Sequence, residues 1–131
     1  MIGLDTNVLL RLFVEDDPAQ CERARRYVAQ ITSDDSCLIN PIVLSEFAWT
    51  LARRGKKPRD EVARLIEEVL SADDIEIVHR SSAVQALASY RRGKADFPDY
   101  FLAQINAELG CATTATFDGS ALDSKVFSAV P

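Results

Sequence analysis

Apolar residues occur along the chain in two kinds of pattern, short continuous runs and longer segments with helical spacing. Residues 62–70, for example, place apolar side chains at the i, i+3, i+4, i+7 and i+8 positions of an amphipathic helix. Continuous apolar runs bounded by polar residues are typical of buried strands. Short strands are predicted over residues 1–4, 37–39, 75–78 and 111–116, with a last edge strand near Val126.

Two predicted helices start at Asp or Asn followed by proline, because Asp or Asn caps a helix and proline suits its first turn. The predicted helix starts are Asp17-Pro18, Asn40-Pro41, Pro58, Ser81 or Ser82, and Pro98. Strands and helices therefore alternate, which predicts a three-layer α/β/α fold around a mostly parallel central sheet of four to five strands. A chain of 131 residues without a linker or repeat is expected to form a single domain, residues 1–131.

The composition, with 47% hydrophobic and 27% charged residues, is that of a folded globular protein. No apolar stretch approaches the roughly 18 residues of a membrane span. No signal-peptide pattern occurs at the N-terminus either, so we expect a cytoplasmic protein. The formal net charge of −5 does not exclude a nucleic-acid partner, because electrostatic attraction depends on where the charges lie.

The three cysteines, Cys21, Cys37 and Cys111, are widely spaced and form no C-x-x-C pair, and His79 is the only histidine. A zinc site is therefore disfavoured. We expect the cysteines to be buried free thiols, as is usual in a reducing cytoplasm, and His79 to have a structural role.

Five acidic residues lie where the chain changes from one element to the next: Asp5, Glu46, Asp96, Asp99 and Asp118. Asp5 and Asp118 each follow a predicted strand, and ligands of parallel α/β sheets bind beyond the carboxyl ends of the strands. Glu46 is embedded among apolar residues of a predicted helix, where a carboxylate near a buried face needs a partner. If these carboxylates converge, they suit Mg²⁺ or Mn²⁺, which prefer oxygen ligands.

Local structural roles also explain some of these acids. Asp96 and Asp99 lie at a predicted helix start, where the helix dipole favours negative charge. Asp118 precedes Gly119, as in an ordinary Asp-Gly turn. Asp96 in particular is either a ligand or a helix cap, and the sequence leaves both interpretations open.

Four segments, taken in order, resemble the motifs of PIN-domain ribonucleases. They are Asp5-Thr6-Asn7-Val8-Leu9-Leu10, Ser45-Glu46, Ala95-Asp96-Phe97-Pro98-Asp99-Tyr100-Phe101-Leu102-Ala103 and Thr116-Phe117-Asp118. The likeness covers essentially the whole chain. Among PIN-domain ribonucleases, the chain is similar in size to the VapC-type toxins of bacterial type II toxin–antitoxin pairs. The resemblance implies an Mg²⁺ or Mn²⁺ site formed by Asp5, Glu46, Asp99 and Asp118, with Asp96 as an additional acid.

The resemblance also implies that Thr6, Asn7 and Thr116 orient the acidic side chains through hydrogen bonds. Pro98 departs from the family pattern, in which a small residue is more usual, but proline suits the first turn of a helix. The metal-ligand role implied for Asp99 is therefore retained.

The implied activity is endonucleolytic hydrolysis of RNA by metal-activated water, without a side-chain nucleophile. Basic residues would hold the RNA backbone. The candidates are Arg11, Arg91, Arg92 and Lys94, and a second basic cluster covers residues 53–59. The family further implies a homodimer and a cognate antitoxin, which in this family often blocks the acidic site with an arginine.

Two alternatives remain. A phosphatase of the haloacid dehalogenase type also has an Asp after its first strand, but it requires a second acid two residues later, where this chain has Asn7. A non-catalytic binding module with the same fold would have lost its metal ligands, whereas all four acids are present here.

Overall fold

Five short strands and six helices alternate along the chain, and a computed structural model describes them for residues 1–131. The strands are β1 (Ile2–Gly3), β2 (Cys37–Ile39), β3 (Ile75–Ile77), β4 (Thr114–Thr116) and β5 (Phe127–Ala129). The helices are α1 (Thr6–Phe13), α2 (Pro18–Thr32), α3 (Pro41–Arg53), α4 (Arg59–Ser71), α5 (Arg80–Arg92) and α6 (Phe97–Glu108). Each predicted strand is present, although β4 is shorter than the run 111–116 from which it was predicted.

All strand pairs are parallel, as the sequence pattern predicts, but the strands form two sheets. In the first sheet β2 lies between β1 and β3, and in the second β4 pairs with β5. The three-layer α/β/α class is confirmed, whereas a single hydrogen-bonded sheet of four to five strands is not formed. The reason is that β1 has only two residues, both exposed, and β4 consists of Thr-Ala-Thr. Strands this short offer few backbone N–H and C=O groups for a further ladder of hydrogen bonds between the sheets.

One hydrophobic cluster of 26 buried residues joins the three-stranded sheet to the helices. Phe97, Tyr100 and Phe101, at the start of α6, are among its largest fully buried side chains. The Phe97 ring centroid lies 5.4 Å from that of Phe101 and 6.3 Å from that of Tyr90. Because burying a large apolar side chain contributes about 1.5–3 kcal/mol, this packing anchors the first turns of α6.

Side-chain caps begin α2 and α3 as the sequence predicts. An Asp17 carboxylate oxygen accepts a hydrogen bond from the Gln20 N–H at 3.1 Å, and the Asn40 side-chain oxygen accepts one from the Val43 N–H at 3.0 Å. These bonds satisfy N–H groups that have no partner inside the helix. The two helix starts are therefore determined by local sequence.

Helix α5 starts before the predicted serine cap, so that prediction is wrong. The helix begins at Arg80, directly after His79, whose φ of 59° lies in the left-handed region. Ser82 is buried, and its hydroxyl donates to the Glu108 carboxylate of α6 at 2.9 Å. His79 Nδ1 lies 2.7 Å from the same carboxylate oxygen. The hydroxyl expected to cap α5 instead joins α5 to α6.

All three cysteines are free, and two of them are buried as predicted. Cys111 is exposed, which corrects the prediction for that residue. It follows Gly110, which has a φ of 101° and ends the α6 segment, and it therefore lies in the turn before β4 rather than inside a strand. None of the helices combines the length and apolar character needed to cross a membrane.

Candidate metal centre

The start of α6 brings two carboxylates and a guanidinium together. Asp96 occupies the N-cap position, but its side chain makes no capping bond. It instead accepts a hydrogen bond from Arg53 Nη2 of α3 at 2.8 Å. The N-cap prediction for Asp96 therefore holds for its backbone, while its carboxylate is directed to a neighbouring helix.

Asp99, in the first turn of α6, is half-buried. Burial raises the pKa of its carboxyl, and the negative charges of Asp96 and Asp118 raise that pKa further, while Arg53 lowers it. Asp96 and Asp118 thus each lie close enough to Asp99 to repel it, although Asp118 is distant from the other two in sequence. Repulsion of this kind is relieved when a cation binds between the carboxylates.

Asp118 reaches this cluster from the end of β4. It precedes a single turn of 3₁₀ helix, Gly119–Ala121, and its carboxylate accepts hydrogen bonds from the Ser120 N–H at 2.9 Å and the Ser120 hydroxyl at 2.7 Å. These bonds lower the pKa of Asp118, the side-chain bond most strongly. Thr116 Oγ1 accepts a hydrogen bond from the Asp118 N–H at 3.0 Å and so orients the backbone beside this carboxylate.

Asp5 occupies the equivalent position after β1. Both Asp5 and Asp118 lie two residues beyond the end of a parallel strand, and both cap a helical turn. An Asp5 carboxylate oxygen accepts a hydrogen bond from the Val8 N–H at 3.0 Å, which places Asp5 on the predicted turn between β1 and α1. The carboxyl ends of parallel strands therefore present carboxylates, as expected for ligand sites in α/β folds.

Glu46 is exposed, contrary to the expectation that it lies near a buried face. The buried residues of α3 are Val43, Leu44, Phe47, Ala48 and Leu51. Helical periodicity turns Glu46 away from that stripe, so its carboxylate needs no buried partner. It borders a cavity of about 440 Å³ that is also lined by Thr6, Asn7 and Pro98, the residues next to Asp5 and Asp99 in the chain.

The acids therefore lie around one region, but their side chains do not converge on a point. No group of three acidic, histidine or cysteine side chains is close enough to hold a metal ion in this arrangement. Asp5, Asp96 and Asp118 are each engaged with a nearby donor. The donor set fits Mg²⁺ or Mn²⁺ chemically, since it consists of carboxylate oxygens. Binding would require these carboxylates to exchange hydrogen bonds for metal coordination.

The predicted RNA-binding residues differ in their availability. Arg91 is paired with Glu67 at 3.0 Å, and Arg11 is bonded to Asp16 and Gln20. Arg92 and Lys94 are exposed, and neither forms a salt bridge. The last two therefore offer free cationic groups beside the start of α6.

Sequence reasoning missed two contacts that shape this region. Arg53 and Arg59 were grouped in one basic cluster, yet Arg53 bonds Asp96 and Arg59 bonds the backbone of the loop before α6. No local pattern signals these contacts. The Ser120 bonds to Asp118, by contrast, were detectable, because an Asp followed two residues later by Ser is a common turn pattern.

The sequence model of a protein family described as the PIN domain matches residues 2–125. A comparison with curated proteins finds no similar sequence. PIN domains are generally metal-dependent nucleases that act on RNA or other nucleic acids. Because the match spans nearly all of the 131 residues, this chain belongs to the PIN domain family.

Proposed function

We propose that this PIN domain is an Mg²⁺- or Mn²⁺-dependent endoribonuclease and the VapC-type toxin of a type II toxin–antitoxin pair. The observation that carries the nuclease proposal is the pair of acids Asp5 and Asp118, each two residues beyond a parallel strand, together with the half-buried Asp99, whose pKa the charges of Asp96 and Asp118 raise. The size of the chain, which is similar to that of VapC-type toxins, supports the toxin proposal. Both proposals agree with membership of the PIN domain family.

Asp5, Glu46, Asp99 and Asp118 are the proposed metal ligands, and Asp96 assists them. A divalent ion bound there supplies Lewis acidity that lowers the pKa of a water molecule and offsets negative charge on the scissile phosphate. The role of the protein is to orient the acids, to keep them ionised when metal is present and to align the phosphodiester.

Hydrogen bonds to neighbouring groups orient Asp5 and Asp118, whereas the side chains of Thr6 and Asn7 make no hydrogen bond to a carboxylate. Thr116 fixes the backbone of Asp118, and Thr6 and Asn7 line the cavity that Glu46 borders. Arg53 neutralises part of the charge of Asp96. A guanidinium at this position lowers the repulsion between Asp96 and Asp99 before metal binds, and it is also positioned to contact a phosphate.

The basic residues near the start of α6 support a nucleic-acid substrate. Arg92 and Lys94 form no salt bridges, so their charges are available to phosphates. Arg11 and Arg91 remain proposed contacts, but each would have to leave an acidic partner in order to bind RNA.

The antitoxin and the homodimer are part of the same proposal. Ile42 and Trp49 of α3 and Leu102 of α6 are 68%, 49% and 45% exposed. A homodimer that covers these side chains would bury apolar surface now in contact with water. The acidic site is suited to an arginine from the antitoxin, because its carboxylates outnumber the one guanidinium of Arg53.

The first test is cleavage of total cellular RNA by purified protein with Mg²⁺, with Mn²⁺ and with a chelator. Asp99→Asn is the test variant, and Asp73→Asn, an exposed aspartate between α4 and β3, is the matched control. We expect metal-dependent cleavage that Asp99→Asn abolishes and Asp73→Asn retains. Cleavage that persists in chelator, or equally in Asp99→Asn, would contradict the proposed site. Failure of folded wild-type protein to cleave RNA in either metal would favour the non-catalytic module.

A further inference from the structure

A second surface, separate from the acidic site, has the chemistry of a nucleic-acid groove. Helices α1 and α2 border an open surface groove of about 460 Å³, whose lining consists mainly of arginine, glutamine and tyrosine side chains and includes no acidic residue. The lining residues used below are Arg11, Arg23, Arg26, Tyr27, Gln20 and Gln30. In a chain with a formal net charge of −5, three arginines line this one groove, and two of them also pair with acids outside its lining, Arg11 with Asp16 and Arg26 with Glu22.

Hydrogen bonds hold the wall of this groove in place. Arg11 Nε donates to Gln20 Oε1 at 2.7 Å, and its Nη1 lies 2.5 Å from Asp16 Oδ1. These contacts join α1 to the start of α2 across the intervening loop. The groove is therefore preformed, which reduces the entropy lost when a ligand is bound.

The remaining groups are available to a ligand. Arg23 makes no salt bridge, and Arg26 is paired only with the exposed Glu22 on the same helix, at 3.2 Å. Exposed pairs of this type contribute little stability, so Arg26 can exchange Glu22 for a phosphate. The Tyr27 side chain is 50% exposed and presents an aromatic ring beside the two arginines.

The groove also leads to the proposed cleavage site. Asn7 lines both the α1–α2 groove and the cavity bordered by Thr6, Glu46 and Pro98. Asn7 is two residues from Asp5, so the two cavities meet at the first turn of α1, beside the strand end that carries Asp5.

We propose that the α1–α2 groove binds a single-stranded RNA segment that flanks the scissile phosphodiester, and this inference rests on the proposed ribonuclease function. Arg23 and Arg26 contact successive phosphates, Tyr27 stacks on an unpaired base, and Gln30 is positioned to hydrogen-bond a base edge. RNA fits better than an acidic peptide because the groove combines cations with an aromatic face and amides, which are the groups that recognise unpaired bases. The proposed groove would also explain how a protein with a negative net charge binds RNA.

The test is the binding of a fluorescent single-stranded RNA of about 12 nucleotides, measured by anisotropy in chelator so that no cleavage occurs. We expect Tyr27→Ala to raise Kd at least about fivefold, the lower limit for one stacked base. We expect Arg23→Ala/Arg26→Ala to make the slope of log K against log salt shallower by about 1.4, since each single-strand phosphate contact contributes about 0.7.

Arg25→Ala is the matched control, because Arg25 lies on the same helix, carries the same charge and pairs with Glu15 instead of lining the groove. It should change Kd less than about twofold, which is below the effect of one stacked base. Unchanged affinity and salt slope in the groove variants, with circular dichroism like that of the wild type, would overturn the inference. If the groove variants lose binding to a fluorescent acidic peptide but keep wild-type binding to RNA, the groove belongs to a protein partner and the inference is overturned equally.

Cleavage assays on the same variants separate this inference from the proposed function. If wild-type protein cleaves RNA with metal and the groove variants cleave with an unchanged KM, the groove inference fails and the ribonuclease stands. If wild-type protein binds RNA through the groove but never cleaves it, the proposed function fails.

Discussion

Arg59 is expected to hold the loop that carries the acidic residues of α6, and replacing it tests this arrangement. Its Nη2 donates to the carbonyl oxygens of Tyr90, Gly93 and Ala95 at 2.7, 3.1 and 2.9 Å, and its Nη1 donates to that of Lys94 at 3.3 Å. Its guanidinium carbon lies 3.9 Å from the centroid of the Tyr90 ring. The substitution Arg59→Met removes all of these contacts while retaining an apolar stem of similar length.

The expected loss of stability follows from how exposed each contact is. The bonds to Tyr90 and Ala95 are partly buried, whereas those to Gly93 and Lys94 are exposed and water can replace them. Two partly buried hydrogen bonds contribute about 1 kcal/mol each, and the cation–π contact adds about 0.5 kcal/mol. The free energy of unfolding should therefore fall by about 2–3 kcal/mol, measured by urea denaturation.

A second set of contacts, made by Tyr100, also holds the loop of residues 93–96 and limits how far this loop can move when Arg59 is replaced. The Tyr100 hydroxyl accepts a hydrogen bond from the Ala95 N–H at 3.2 Å and donates to Asp123 at 3.1 Å. A Cβ atom at Gly93 would overlap the Tyr100 hydroxyl, so the chain passes close to this ring only because Gly93 has no side chain. Arg59→Met should therefore loosen the loop without unfolding α6, and amide hydrogen exchange should increase chiefly across residues 93–96.

Arg59→Lys distinguishes these contacts to the loop from a phosphate contact. Lysine keeps the positive charge but has no planar fork, so it cannot bond several carbonyl oxygens at once. If Arg59 holds the loop, Lys and Met variants should both lose stability, and RNA cleavage should fall at least about tenfold, as a small misplacement of catalytic groups is costly. A wild-type urea midpoint in Arg59→Met, or full rescue of cleavage by Arg59→Lys with a normal salt dependence, would refute the reasoning.

Three further predictions concern charge and association. The pKa of Asp99 is raised in the folded protein, so its ionised form destabilises the fold as pH rises through that pKa. At neutral pH without metal, Asp99→Asn should therefore melt at a higher temperature than wild type. The variant should also lose the increase in melting temperature that Mg²⁺ produces in wild type. An equal Mg²⁺ effect in both proteins would contradict this. The Ser82 hydroxyl lowers the pKa of Glu108, so the stabilisation from this hydrogen bond is present above the ordinary glutamate pKa and is lost as pH falls through the folded value. Ser82→Ala should therefore raise the pKa of Glu108 in a carboxyl NMR titration. An unchanged titration would exclude the hydroxyl as the cause of the lowered pKa. Trp49, the only tryptophan, should show a concentration-dependent blue shift in fluorescence if the proposed homodimer covers it. Trp49→Ala should lower the dimer fraction in sedimentation analysis. Val84 of α5 is equally exposed, and Val84→Ala should leave the dimer fraction unchanged.

Much of the local structure was predictable because its hydrogen bonds close within a few residues. Asp5, Asp17 and Asn40 each accept a hydrogen bond from the N–H group three residues later, so the sequence contains both partners. The parallel direction of the strands also follows from the alternation of strands and helices. The order of the acidic motifs was sufficient to indicate the family, which the match over residues 2–125 confirms.

The tertiary structure decided the features whose partners are distant in sequence. Arg53 and Asp96 are 43 residues apart, and Arg59 and Ala95 are 36 residues apart, so no local pattern could distinguish these arginines from RNA-binding residues. The exposure of Glu46 depends on which stripe of α3 packs against the core. The chain has two sheets because the short strands β1 and β4 do not pair with each other.

The sequence by itself therefore determined the side-chain caps of α1, α2 and α3, the order of elements and the acidic residues available as ligands. The tertiary structure decided the direction in which each of those carboxylates points and which arginines remain free. The physical reason is that capping and periodicity are local properties of the chain, whereas the partner of a charged side chain is chosen among all groups that packing brings within a few ångströms.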